Sequence, residues 1–164
     1  MPSSIALSLS VGVLSGIATW LVLGPLSAFL LLWAAFIGWG CFFHSGGTMD
    51  GLKSGAIGNV FGVICAVITA MLIFNVNLGA LTAAIWVGVV VIGLVYIGAT
   101  VSIMGNIPAA VYGFASTFAY VLQTPDKFTA DAIMPAAILV VSSLIVGQLF
   151  GFASGTLAGK LTKS

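Results

Sequence analysis

The chain has 164 residues, of which 61% are hydrophobic and 4% charged, with four basic residues, three acidic ones and a formal net charge of +1. So apolar a composition cannot supply a soluble surface of ordinary polarity, and no nucleic-acid partner is expected of it. The charges fall in three places, Asp50 and Lys53, then Asp126, Lys127 and Asp131, then Lys160 and Lys163. Between them run apolar segments of roughly 18 to 25 residues, the length an α-helix needs to cross hydrocarbon.

The expected fold class is therefore an all-α integral membrane protein, with the lipid bilayer as its first partner. A β-barrel would alternate apolar and polar residues along each strand, whereas Val87 to Ile97 is apolar at nearly every position. Helices satisfy their own backbone groups and are the spanning structure left.

Six spans are predicted. The first, Ile5 to Leu23, lacks a basic leader and an evident cleavage site, so it reads as a retained helix and not a signal peptide. Its Ser8, Gly12 and Gly16 make a small-residue face. After the Gly24-Pro25 turn, the second span runs from Leu26 to Phe43 and carries Trp33, Phe36, Trp39, Phe42 and Phe43, followed by His44. An interfacial aromatic belt accounts for Phe42, Phe43 and His44. Trp33 and Phe36 should lie near mid-membrane, where rings either close an apolar constriction or face lipid and core.

The third span, Ser54 to Phe74, carries a stripe of small residues at Ser54, Gly58, Gly62, Ala66 and Ala70. Beyond Asn75-Val76-Asn77 comes the fourth, Leu78 to Val101, and beyond Gly105-Asn106 the fifth, Ile107 to Leu122, with Tyr112, Phe114, Phe118 and Tyr120. The sixth, Ile133 to Leu157, begins a second stripe, Ser143, Gly147, Gly151, Gly155 and Gly159. Small residues at every fourth position let helix backbones approach closely. The third and sixth spans are expected to cross near the centre of the fold or at a subunit contact, or to leave room there for a solute. The connections are short, so residues 1–164 form a single transmembrane domain.

An internal repeat is also expected, with halves of about 1–80 and 81–164. A shift of 81 residues puts Gly12 on Gly93, Gly24 on Gly105, Ala28 on Ala109 and Thr48-Met49-Asp50 on Thr129-Ala130-Asp131. Three spans per half is an odd number, so the halves would have opposite topology, a 3+3 inverted repeat of the kind found in transport proteins.

Thr48 with Asp50, and Thr129 with Asp131, stand just before spans. They read as helix caps, or more sharply as mouth residues at opposite ends of a path. Asn59 and Gln148 are amides inside spans. A buried amide needs partners, so they either bond across helices or line a polar path. Cys41 and Cys65 lie at membrane depth, where they pack as small apolar residues and a disulfide is not expected. His44 is the only histidine and has no metal-ligand neighbours, so neither metal nor cofactor is expected. No embedded carboxylate, histidine or Ser–His pair supports acid–base or nucleophilic catalysis or a proton relay. The chain is not expected to be an enzyme. Both termini are expected to be cytoplasmic, because an even number of spans then puts Lys53, Lys160 and Lys163 inside and only Lys127 outside.

From Trp33 through Trp39 and on to Phe42-Phe43-His44-Ser45-Gly46-Gly47, the sequence resembles a family of small bacterial inner-membrane proteins, domain of unknown function 1097. The resemblance spans nearly the whole chain. It implies a bacterial plasma-membrane location and brings no residue roles. The expected function is a passive channel or facilitator for a small neutral solute or weak acid. Its path would follow the third and sixth spans, lined by Asn59 and Gln148 and narrowed by Trp33, Phe36 and Phe114. The alternative is an accessory membrane subunit without a pore. A homo-oligomer is expected, assembled through uncovered glycine faces such as that of Gly12 and Gly16, with dimer or trimer ahead of larger rings.

Overall fold

A computed structural model describes residues 1–163, the last by its backbone alone, so the Lys163 side chain lies outside it. It consists of six α-helices and no strands among the described residues: α1 Ser3–Leu23, α2 Leu32–His44, α3 Met49–Asn75, α4 Thr82–Thr100, α5 Ile107–Gln123 and α6 Ile133–Lys163. Single 3₁₀ turns, Gly79–Leu81 and Ser102–Met104, precede α4 and α5. Four segments are long and apolar enough to cross a membrane: Ser3–Leu23, Met49–Asn75, Gly79–Thr100 and Ile133–Thr162.

The second predicted span is corrected at its start. Residues 24–31 form turns and extended chain, and α2 begins only at Leu32. Its 13 residues make a helix of about 20 Å at 1.5 Å per residue, short of the hydrocarbon thickness. The cause is local. Leu31 is extended and its N–H donates to Ser143 Oγ at 2.9 Å, which fixes the entry to α2 against α6. The third and sixth helices are longer than predicted, starting at Met49 and running to Lys163.

The α2–α3 connection is only Ser45 to Thr48. Gly46 and Gly47 adopt positive φ (97° and 65°), which glycine tolerates without a Cβ clash, and Thr48 Oγ1 then accepts the Gly51 N–H at 3.1 Å to cap α3. The α5 start is capped in the same way, by Asn106 Oδ1 accepting from Ala109 N at 3.2 Å.

Two tight crossings organise the bundle. On one side α3 runs parallel to α5: a methyl on Gly62 would overlap the Ala110 carbonyl, and one on Gly113 would overlap that of Asn59. On the other side α2 runs parallel to α6: a methyl on Gly38 would overlap the Leu144 carbonyl, and one on Gly147 that of Ala35. The third and sixth helices do meet at the centre, but not through their two small-residue stripes. Gly58 and Gly62 pack on α5, while Gly147 and Gly151 pack on α2, where Gly151 lies against Trp39 and Phe42; a Cβ on Gly155 would stand 3.8 Å from the Phe42 ring. Small residues bring each long helix onto a short one because only backbone-to-backbone contact fits there.

Between the two pairs, α3 and α6 meet antiparallel through larger side chains. Ala70 clusters with Ile133 and Ala136, and Val63 with Ala137, Val140 and Leu144. The matching close approaches relate α2 to α5 by 75 residues (110 − 35 and 113 − 38) and α3 to α6 by 85 (144 − 59 and 147 − 62). A single shift of 81 does not bring them into register. The outer helices α1 and α4 are largely exposed, and nothing lies within 4 Å of where a Cβ would stand on Gly12, Gly16, Gly88 or Gly93.

Candidate functional site

A concentration of buried polar side chains with unused hydrogen-bonding capacity sits where α2, α3, α5 and α6 converge. Asn59 on α3 and Gln148 on α6 are 0% exposed. Among the described residues, Asn59 Nδ2 and both Nε2 and Oε1 of Gln148 have no hydrogen-bond partner. Leaving such a group unpaired in a low-dielectric interior costs about 1–3 kcal/mol, so a polar neighbour is favoured there.

Short helices and tight turns bring the rest of the cluster together. The α2–α3 turn places Ser45 beside the start of α5, where Asn106 Nδ2 donates to Ser45 Oγ at 2.9 Å and to Ser54 Oγ at 3.3 Å. Cys41, one helical turn before Ser45, places Sγ 3.7 Å from Asn59 Oδ1 and 4.0 Å from Ser45 Oγ. Gly55 lies one turn before Asn59 on the same face of α3. A Cβ on Gly55 would stand 2.8 Å from Gln148 Oε1 and 3.2 Å from Ser45 Oγ, so the glutamine amide and the Ser45 hydroxyl pack directly against its bare backbone.

Of the sequence-predicted residues, Asn59 and Gln148 are thus brought into one neighbourhood, and the aromatics are not. Trp33 and Phe36 are 39% and 42% exposed. Phe36 stacks on Trp39 at 5.9 Å, and Phe114 packs against the Cys65, Leu94 and Ala110 cluster. α2 turns its small residues, Ala35 and Gly38, toward α6 and carries Trp33 and Phe36 on its other, exposed side, while Phe114 stands on α5. Asp50 and Asp131 are exposed at opposite ends of the bundle; the caps are made by their neighbours, Thr48 and Thr129, whose Oγ1 accepts from Ala132 N at 3.3 Å. His44 is exposed and its Nδ1 lies 2.6 Å from Tyr112 Oη, tying the end of α2 to α5. Both cysteines are free. Cys65 packs as an apolar residue, but Cys41 belongs to the polar cluster.

Ser45, Asn106, Cys41 and Gly55 were not singled out as site residues by sequence. Gly51, Gly55 and Asn59 recur at every fourth position, a bare stripe leading to an amide, and that spacing is the signal that could have found the site.

At the other end of the bundle an open groove of about 810 Å³ lies between the α1–α2 connection and the start of α6, with Phe29, Leu30, Tyr120, Lys127 and Ser142 among its walls. No group of three or more His, Cys, Asp or Glu side chains among the described residues could hold a metal ion.

Fold and site define an apolar helical bundle built around buried, uncharged amides. The chain belongs to the family described as protein of unknown function (DUF1097), whose model matches residues 8–159. No curated protein and no solved structure matches it.

Proposed function

We propose that the chain is a six-span protein of the bacterial inner membrane acting as a passive channel or facilitator for a small neutral solute or a weak acid in its neutral form. The observation that carries this reading is the pair of fully buried amides, Asn59 and Gln148, with unsatisfied donors and acceptor at the convergence of four helices. Polar groups held at membrane depth face a bundle interior or a solute path, and none of these is ionised, which suits a neutral cargo and not an ion.

In this reading α2 and α5 complete their crossings with the irregular segments that precede them, which membranes tolerate where backbone is buried in protein or lines a cavity. An inverted 3+3 repeat is supported by the equivalent crossings of α2 on α6 and α5 on α3, which run in opposite directions. Lys53 and Lys160 lie at the end where α3 begins and α6 ends, favouring cytoplasmic termini. The uncovered Gly12 and Gly16 favour a homo-oligomer, with a closed dimer or trimer as the simplest form.

Purified protein in liposomes should speed the entry of at least one solute among urea, glycerol, ammonia and short-chain acids relative to empty liposomes. Equal rates across that panel would overturn the reading. The second reading, an accessory subunit without a pore, is favoured by the exposed apolar faces of α1 and α4, and copurification with a different membrane protein in mild detergent would support it.

A further inference from the structure

The irregular stretch between α1 and α2 leaves an opening in the bundle. Because residues 24–31 are not helical, an open groove of about 810 Å³ remains between them and the start of α6. That volume lies in the ~300–1,000 Å³ range of sites that bury a ligand, and the walls are mainly apolar, with Phe29, Leu30, Ile138 and Leu139 among them. Along α6 the groove reaches Ser142, about 14 Å from Ile133 at 1.5 Å per residue and close to half of the ~30 Å hydrocarbon thickness. An open apolar groove of that depth suits an extended hydrocarbon chain better than a compact polar solute.

Of the residues lining it, Lys127 alone is charged. The turn that brings Lys127 there is strained. Thr124 O accepts the Lys127 N–H at 3.3 Å, and Asp126 between them takes φ 59°, where turns usually carry glycine or asparagine. The two neighbours consequently part: Asp126 lines a separate surface pocket, and Lys127 lines the groove. Asp131 is exposed and lines neither. Lys127 is half-buried, and among the described residues no carboxylate pairs with it.

We infer that this groove is a binding site for an anionic phospholipid, its phosphate held by Lys127 and one acyl chain laid along Phe29, Leu30, Ile138 and Leu139. The inference goes beyond the channel reading: it rests on the same placement in a membrane and needs no solute to pass. A groove open to hydrocarbon takes up an acyl chain of any lipid, so selection falls to the headgroup. A basic side chain beside membrane helices attracts anionic headgroups, and a lysine without a carboxylate partner is free to meet the phosphate. A choline headgroup brings its own cation into the same space and gains less. Tyr120, near the end of α5, adds a hydroxyl donor to the same wall.

The test reconstitutes the full-length protein with equal parts of phosphatidylglycerol and phosphatidylcholine bearing the same acyl chains, and native mass spectrometry after mild detergent extraction reads the lipid retained. Wild-type protein should hold phosphatidylglycerol in preference to phosphatidylcholine. Lys127→Gln should lower that preference about fivefold, the scale of one basic residue against an anionic headgroup, and Lys127→Arg should keep it. Lys53→Gln, at the opposite end of the bundle, should change nothing. Ala28→Trp, at an exposed position on the groove wall, should displace both lipids by filling the space, and thermal melting confirms that each variant is folded. Equal retention of the two headgroups by wild type would overturn the site, as would a preference that survives Lys127→Gln or that Lys53→Gln abolishes equally. Should Lys127→Gln not fold, Ala28→Trp decides, and undiminished lipid retention by it overturns the site. A second copy of the chain in place of lipid, seen as a dimer that Ala28→Trp breaks, would overturn it too. Lipid held selectively with no influx of any solute would support the site and overturn the channel reading alone; influx without headgroup preference would do the reverse.

Discussion

Gly62 on α3 and Gly147 on α6 occupy matching places: each presents a bare Cα to a backbone carbonyl, that of Ala110 for the first and of Ala35 for the second. A side chain at either position must push two helices apart. Gly62→Val and Gly147→Val are each expected to cost about 3 kcal/mol, the upper range for overpacking. Gly88→Val, with nothing within 4 Å of its Cβ position, should stay within about 0.5 kcal/mol. Thermal melting in nanodiscs separates the cases, and comparable losses for all three would refute the crossing assignment.

The outer position of Trp33 and Phe36 leads to a second expectation. Trp33→Leu and Phe36→Leu should leave the solute influx of reconstituted protein unchanged, since neither ring reaches the amide cluster. A marked change for either would restore a gating role to the α2 aromatics.

Helix capping and a mouth role can be told apart at the start of α3. Thr48→Ala removes the oxygen that accepts from Gly51 N and should cost about 1 kcal/mol. Asp50 is exposed in the first turn, so Asp50→Asn should cost at most about 0.3–1 kcal/mol through the helix dipole. Influx measured beside stability decides the matter: a large flux change in Asp50→Asn with unaltered melting would make it a mouth residue.

For assembly, the double variant Gly12→Leu with Gly16→Leu should fold, because both positions are open, and should run as a monomer in native mass spectrometry from nanodiscs. An oligomer that survived both substitutions would exclude the α1 face as the contact.

How far the sequence carried varies from element to element. The turn residues Gly24-Pro25, Asn75-Val76-Asn77 and Gly105-Asn106 located most helix boundaries within a few residues, whereas Asp50, Lys53 and Lys160, placed outside the spans, lie inside α3 and α6. The start of α2 escaped for a reason that no local pattern encodes: Leu26, Phe29, Leu30 and Leu31 are as apolar as any helix, and what ends the irregular segment is the hydroxyl of Ser143, supplied by α6. The amides Asn59 and Gln148 stood out against their surroundings. Their neighbours did not, since Ser45 and Asn106 read as turn residues, Cys41 as a filler and Gly55 as one glycine among many. The small-residue stripes were visible as packing faces, but a stripe names no partner, and each took a short helix and not the other stripe.

The order in which the chain is made gives the two crossings a further consequence. α3 finds its tight partner only after α4 has been completed and α5 follows, and α2 waits for α6, since Leu31 and Ser143 are 112 residues apart. Until then Gly38 and Gly62 stand on half-finished helices with no carbonyl to meet. Such non-local closure makes folding slow and leaves incomplete chains open to wrong partners. A chain cut short before α6 would therefore leave α2 without its tightest contact.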